Sequence, residues 1–186
     1  GAMEDISADL LRAHLEVNVI GTHDLTRRVI PAMRRAGHGR IVLCSSVLGL
    51  VSGPYRGAYA ASKFALEAIG DALRVELVPA GIHVSLIEPG PIATEFMAST
   101  LSTFRRTIDV EGSAHKAYYH RRMREMEQGG VSPFKQGPEA VVAKLVHALE
   151  SPRPRPRYRV GVPTIGADIL RRVLPARLLD RIVARF

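Results

Sequence analysis

The chain is expected to fold as α/β, with a small parallel sheet and helices packed over it. Three observations lead there. Residues 40–45 and 82–87 are short apolar runs without polar alternation, which suits strands buried on both faces. A long stretch of helically spaced apolar residues precedes each run, and a turn rich in Gly and Pro follows each. Helix and strand in alternation make successive strands parallel, joined by right-handed crossovers. At 186 residues, one domain with one sizeable core is expected.

The elements follow in order. Ser7 caps a helix over residues 7–36, with Asp9 in its first turn and Ile6 and Leu11 placed to clasp its start. Its apolar positions are Leu10, Leu11, Leu15, Val19, Ile20, Val29, Ile30 and Met33. Pro31 marks a kink near its end and Gly37 a stop. The strand at 40–45 holds Cys44 among aliphatics, as an inert core thiol. A Gly/Ser/Pro loop spans 46–57, and a second helix spans 58–78. After the strand at 82–87, residues 88–91 turn away. Residues 96–128 are helical but polar and basic, a lid-like excursion over about 95–130. Within it Met97, Leu101, Phe104, Tyr118 and Tyr119 suit either an apolar substrate pocket or packing of lid on body. Pro138 opens a helix reaching Leu149, residues 157–162 form a third strand, and 165–185 are amphipathic helix broken at Pro175. Gly1-Ala2-Met3 reads as a tag remnant, with Met3 as a gene start, and is set aside from fold reasoning. The catalytic domain is then 4–163 and the basic C-terminal segment 164–186.

With 46% hydrophobic and 24% charged residues, the composition excludes default disorder. No run approaches 18 apolar residues. A single cysteine excludes a disulfide framework and points to a reducing, cytoplasmic setting. The net charge of +8 is unevenly spread: residues 1–150 carry +1, whereas 151–186 carry +7 on nine arginines. With no Trp and 5% aromatics, nucleic-acid binding is not expected. The segment 164–186 suits contact with an anionic membrane surface, or, as the favoured reading, a cover over the domain's own pocket or packing on a subunit. His115 and His120 lack the H-E-x-x-H pattern, so no metal is expected and both read as solvated lid residues.

Tyr59 and Lys63 stand at i and i+4, on one face at the start of a helix. Ser46 follows the first buried strand. In an open parallel sheet, ligands sit beyond the carboxyl ends of the strands, where these three residues would meet. The trio suits proton transfer to a carbonyl. Lys63 would lower the pKa of the Tyr59 phenol, Ser46 would polarise the carbonyl oxygen, and Tyr59 would act as general acid or base. Hydride must then come from a nicotinamide cofactor.

These residues resemble the short-chain dehydrogenase/reductase family: Ser46, twelve residues, Tyr59, three residues, Lys63. Val17-Asn18-Val19-Ile20-Gly21 is similar to the family's helix motif with a fourth catalytic residue, Asn18. Pro89-Gly90-Pro91-Ile92-Ala93-Thr94 is similar to its P-G-x-x-x-T segment. The resemblance implies part of a Rossmann-like doubly wound sheet (strands 5–7 of the family fold) and an alcohol or carbonyl substrate. It also implies NADP or NAD, with NADP favoured by likeness to bacterial aldehyde and ketone reductases. Tyr59, Lys63, Pro89, Gly90, Ile92 and Thr94 would contact the cofactor, and Asn18 would hold a relay water. Val47, Pro91, Met97 and Leu101 would contact substrate. Homo-oligomers through the helices at 7–36 and 58–78 are also implied.

The family's N-terminal T-G-x-x-x-G-x-G loop, which cradles the cofactor pyrophosphate, is absent. Gly49, Gly53 and Gly57 recur every four residues, but after the wrong strand. Weak activity or none is therefore expected of this chain alone. The alternatives are a non-catalytic, self-associating fragment, or a binder of nucleic acid or membrane through its arginine tail.

Overall fold

The computed structural model describes residues 1–127 and 133–185, apart from the Met97 side chain. Three parallel strands, β1 (Gly39–Cys44), β2 (Ile82–Pro89) and β3 (Arg157–Val160), lie in the order β1-β2-β3. Gly39 stands opposite Ile82 and Cys44 opposite Ile87, so β1 and β2 end side by side; Pro89 stands opposite Val160. The parallel α/β arrangement read from the sequence is the one observed.

The first long helix begins as α1 (Ala8–Leu15), where the Ser7 hydroxyl accepts from the Leu10 amide at 3.2 Å. It passes through a π-helical segment, Glu16–Gly21, and continues as α2 (Thr22–Ala36) straight through Pro31 to Gly37 at φ 73°. The wider π turn slips the apolar phase, so Val19 is buried while Ile20, expected on the same face, is 49% exposed. Helix α3 (Gly57–Glu76) crosses the same sheet face as α2. There Ile41, Leu43, Val84 and Leu86 pack with Ile30, Met33, Leu73 and Leu77. The opposite face is covered by α6 (Glu139–Glu150), with Ala148 and Val141 against Val42, Ile87, Tyr158 and Val160.

Several expectations change. Burial alternates along β1 instead of covering both faces, and Cys44 is exposed. The strand is an edge of the described sheet and the thiol stands at its last position, so the inert-core reading fails. The helical excursion splits into α4 (Phe96–Thr107) and α5 (Lys116–Glu127), because Ile108 turns extended and Asp109 accepts from the Gly112 amide at 3.1 Å. Its expected end, at 128–130, falls outside the described residues. Phe104 and Tyr119 settle into a third cluster with Ile108 and Ala2, so there the excursion is packing. Ala2, in the segment set aside above, is buried in that cluster, and its amide donates to Tyr119 Oη at 2.7 Å.

β3 stops at Val160 because Gly161 turns to φ 89°, and α7 (Val162–Val173) starts at once. Leu174 and Pro175 then separate it from α8 (Ala176–Val183). His115 and His120 are not free in solvent: Glu4 and Glu111 reach their Nε2 atoms. Part of the C-terminal charge is also engaged. Arg157 and Arg159 are paired inside the domain, Arg172 meets Asp168, and Arg171 lies over the Phe64 ring. Among the described residues no helix is long and apolar enough to cross a membrane.

Candidate active site

The site stands where β1 and β2 end. Ser46, one residue beyond Ser45, is extended at φ −167° and heads a tight turn over Val47–Gly49, its hydroxyl accepting from the Leu48 amide at 3.2 Å. That hydroxyl also acts on the Tyr59 phenol, lowering its pKa. Tyr59 lies in the first turn of α3, where small neighbours let the helix approach β1 and β2. Lys63, one turn on, sits with Nζ 5.5 Å from the Tyr59 ring centroid and donates to the Cys44 carbonyl at 2.8 Å.

Asn18 arrives from the π turn. Its amide donates to His14 Nε2 at 3.0 Å and to Ser62 Oγ at 3.3 Å. Ser62 is fully buried and donates to the Tyr59 carbonyl at 2.7 Å. A π segment in a helix often marks a functional position, and here it turns the Asn18 amide toward the start of α3. Asn18, Ser46, Tyr59 and Lys63 therefore form one cluster.

The electrostatics differ from the sequence expectation. Burial pushes the Tyr59 phenol above its usual range, against the opposing hydrogen bond from Ser46. The Lys63 ammonium is directed at the Cys44 carbonyl, beside the ring. Burial also lowers the Lys63 pKa, opposed by Cys44 and Glu67. The His14 imidazole is lowered by burial and then by the Lys63 charge, which leaves Nε2 free to accept from Asn18.

The 89–94 segment leaves β2 at the same end of the sheet. Pro89 pairs with Val160, the Gly90 amide donates to the Val160 carbonyl at 2.9 Å, and a side chain on Gly90 would come within 3.1 Å of Thr164 Oγ1. Gln136 stitches the next stretch: its amide donates to the Pro91 carbonyl at 3.0 Å, Ala93 donates to its carbonyl at 2.8 Å, and Ile92 bridges it. Thr94 is exposed, and its hydroxyl accepts from Phe96. Phe96 carries this segment toward the cluster, its ring 5.9 Å from that of Tyr59. Val47 is half-buried at the head of its turn and Leu101 is buried in α4; the Met97 side chain lies outside the described residues.

Two neighbours of Tyr59 escaped the sequence reading: His14, whose ring meets the phenol edge-on at 6.1 Å, and Phe96. His14 had a usable signal, standing four residues before Asn18 on one helix face. Tyr59, Lys63 and the 89–94 segment all stand at the carboxyl end of the sheet. Of the glycine series, Gly49 is pressed on Ser45 and Glu67, where a Cβ would meet Ser45 Oγ at 2.6 Å, which leaves no room for a phosphate there. Among the described residues no group of three metal-ligating side chains converges.

A parallel sheet with Ser, Tyr and Lys gathered at its carboxyl edge is the geometry, and sequence comparison gives the family. The family profile for short chain dehydrogenases matches residues 1–104, and the chain belongs to that family. It is 44% identical over 184 residues to YbbO, an uncharacterised oxidoreductase of Escherichia coli strain K12, covering 98% of this chain and 62% of that protein. It is 36% identical over 161 residues to human 17-beta-hydroxysteroid dehydrogenase type 1, covering 85% of this chain and 48% of that one. A structure from Beutenbergia cavernae with NADP bound at low occupancy superposes with a TM-score of 0.69 at 25% identity, covering 89% of this chain and 61% of that one. The chain thus spans about half to two thirds of the length of these relatives.

Proposed function

We propose that the chain carries the proton-transfer and substrate-positioning half of an oxidoreductase that interconverts an alcohol and a carbonyl compound with NADP or NAD. The observation that carries this is Tyr59 in the first turn of α3 with Lys63 beside its ring and Ser46 at the head of its turn, all at the carboxyl end of parallel strands. In the reducing direction, the Ser46 hydroxyl donates to the substrate carbonyl oxygen and Tyr59 Oη delivers the proton to it. The raised phenol pKa keeps Tyr59 protonated at neutral pH, which favours the acid role. Lys63 and Tyr59 would hold the nicotinamide ribose, and Pro89, Gly90, Ile92 and Thr94 its carboxamide. Asn18, through Ser62 and His14, steadies the start of α3 and offers a route for proton resupply to Tyr59. The bound cofactor supplies the hydride that no side chain carries.

The NADP in the Beutenbergia structure supports the cofactor class, and the hydroxysteroid named for the human relative supports an alcohol substrate. The test is nicotinamide fluorescence titration of the chain with NADPH and NADH, followed by turnover of a panel of aldehydes and ketones. In a chain with the family's N-terminal glycine loop restored, Tyr59→Phe is expected to abolish turnover and spare cofactor affinity, whereas Lys63→Ala weakens both. Turnover retained in Tyr59→Phe would remove Tyr59 from the acid role.

A second reading, self-association, is favoured by the open edge of β1 and by exposed apolar side chains: Val17 (74%) and Leu25 (66%) on the first long helix, Val75 (67%) on α3. Sedimentation at micromolar concentration tests it, and a monomer throughout would refute it.

A further inference from the structure

Beneath the cluster, away from the substrate side, lies a buried charge network that the proton-transfer scheme does not use. Glu67 stands one helical turn beyond Lys63 and two beyond Tyr59 on α3, and its side chain is only 8% exposed. Arg157 of β3 binds it and reaches Glu88 of β2 and Asp71 of α3, each at 2.7 Å; the Glu88 side chain is fully buried. Arg159 approaches Glu88 at 3.7 Å and pairs with Asp168 of α7 at 2.7 Å. Only one Glu67 oxygen is used in this way. The other, Oε1, is buried without a hydrogen-bond partner among the described residues, and so is Ser45 Oγ. Both point at Gly49, in the turn that Ser46 heads: a Cβ there would lie 3.2 Å from Oε1 and 2.6 Å from Oγ.

We propose that Glu67 is a positioning residue for Lys63, a carboxylate pinned by Arg157 whose negative charge holds the Lys63 ammonium charged and directed at the end of β1. The half-buried Lys63 ammonium is pulled toward its neutral form by desolvation, and Glu67 is one of two groups opposing that pull. The other groups facing Lys63 are Tyr59 on its own helix, Cys44 on β1 and His14 on α1, whose imidazole is kept neutral. Arg157 does not cancel the Glu67 charge, because it is shared among three carboxylates. Gly49 leaves room for the carboxylate without a side chain wedged against the Ser46 turn. The inference rests on the functional reading of Lys63 given above, but its test does not.

The chain has four lysines, Lys63, Lys116, Lys135 and Lys144, so competitive acetylation read by peptide mass spectrometry follows each amine against pH. Glu67→Gln is expected to move the Lys63 midpoint down by about one pH unit, and to leave the other three in place. Glu67→Asp, which restores the charge one methylene further away, moves it less. Asp71→Asn removes a carboxylate from Arg157 without facing Lys63, and leaves the midpoint unmoved. An unchanged Lys63 midpoint in Glu67→Gln overturns the proposal, as does an equal shift in Asp71→Asn. If Glu67→Gln does not fold, Glu67→Asp decides: a downward shift supports the role and no shift overturns it. The labelling requires neither cofactor nor turnover. A chain in which Tyr59→Phe retains activity would therefore fail the functional reading while leaving this measurement intact.

Discussion

At the scale of single residues, burial decides which protons move. Tyr59 is raised by burial, and Tyr119, almost wholly buried and donating to Asp5, is pushed up to about 12. Ultraviolet titration of the five tyrosines should show the last step near pH 12, and Tyr119→Phe should remove that step alone. His14 gives the acid-side counterpart. Its folded pKa lies below the unfolded value of about 6.5, so the unfolded chain binds the proton more readily. Its contribution is present in full above that value and is lost as pH falls through it toward the folded value. Urea midpoints measured from pH 7.5 to 5.5 should therefore fall more steeply for the native sequence than for His14→Gln. Parallel curves would show that the ring is not held neutral.

At the scale of elements, legibility follows the range of the interaction. Both long helices, the three strands and the trio of Ser46, Tyr59 and Lys63 were readable, because caps, turn residues and i, i+4 spacing are local; Asn18 was reached only through the family resemblance. The π segment was not, since periodicity averaged over a long helix conceals a slip of one residue at Val19 and Ile20. Cys44 was misread because strand order decides which strand is an edge, and order is not written in a strand's own sequence. Glu67 and Arg157 are 90 positions apart and had no local signature at all. Where packing was read from pattern, it should also hold in energy. Leu86 is 1% exposed, lies under Gly70 so closely that a Cβ added there would come within 2.9 Å of it, and joins α3 to the sheet. Leu86→Ala is expected to cost about 2–5 kcal/mol in chemical denaturation, the range for truncating a core leucine. A loss below about 1 kcal/mol would mean that the α3–sheet layer closes around the gap.

For the whole molecule, the excess positive charge is less of a surface feature than composition suggests, because part of it is structural. Arg157 draws carboxylates from α3 and β2 onto β3, and so ties the second and third strands to the helix that carries Tyr59 and Lys63. Such a centre is asymmetric in energy. Formed, it contributes modestly after desolvation; deprived of its cation, it leaves like charges facing one another in a poorly solvated place. Arg157→Met is therefore expected to cost about 3–5 kcal/mol at neutral pH. The loss should be pH-dependent in a definite direction. Glu88 is already raised by burial with Arg157 in place, and it rises further without it. A folded pKa above the unfolded one favours the protonated native state, so the penalty is largest above the folded value and shrinks as falling pH neutralises the orphaned carboxylates. Glu88→Gln in the Arg157→Met background should recover part of the stability at neutral pH and flatten its pH dependence. A penalty constant from pH 8 to 5 would place the cost in lost packing of the arginine stem instead, and the network would then be a filler between layers.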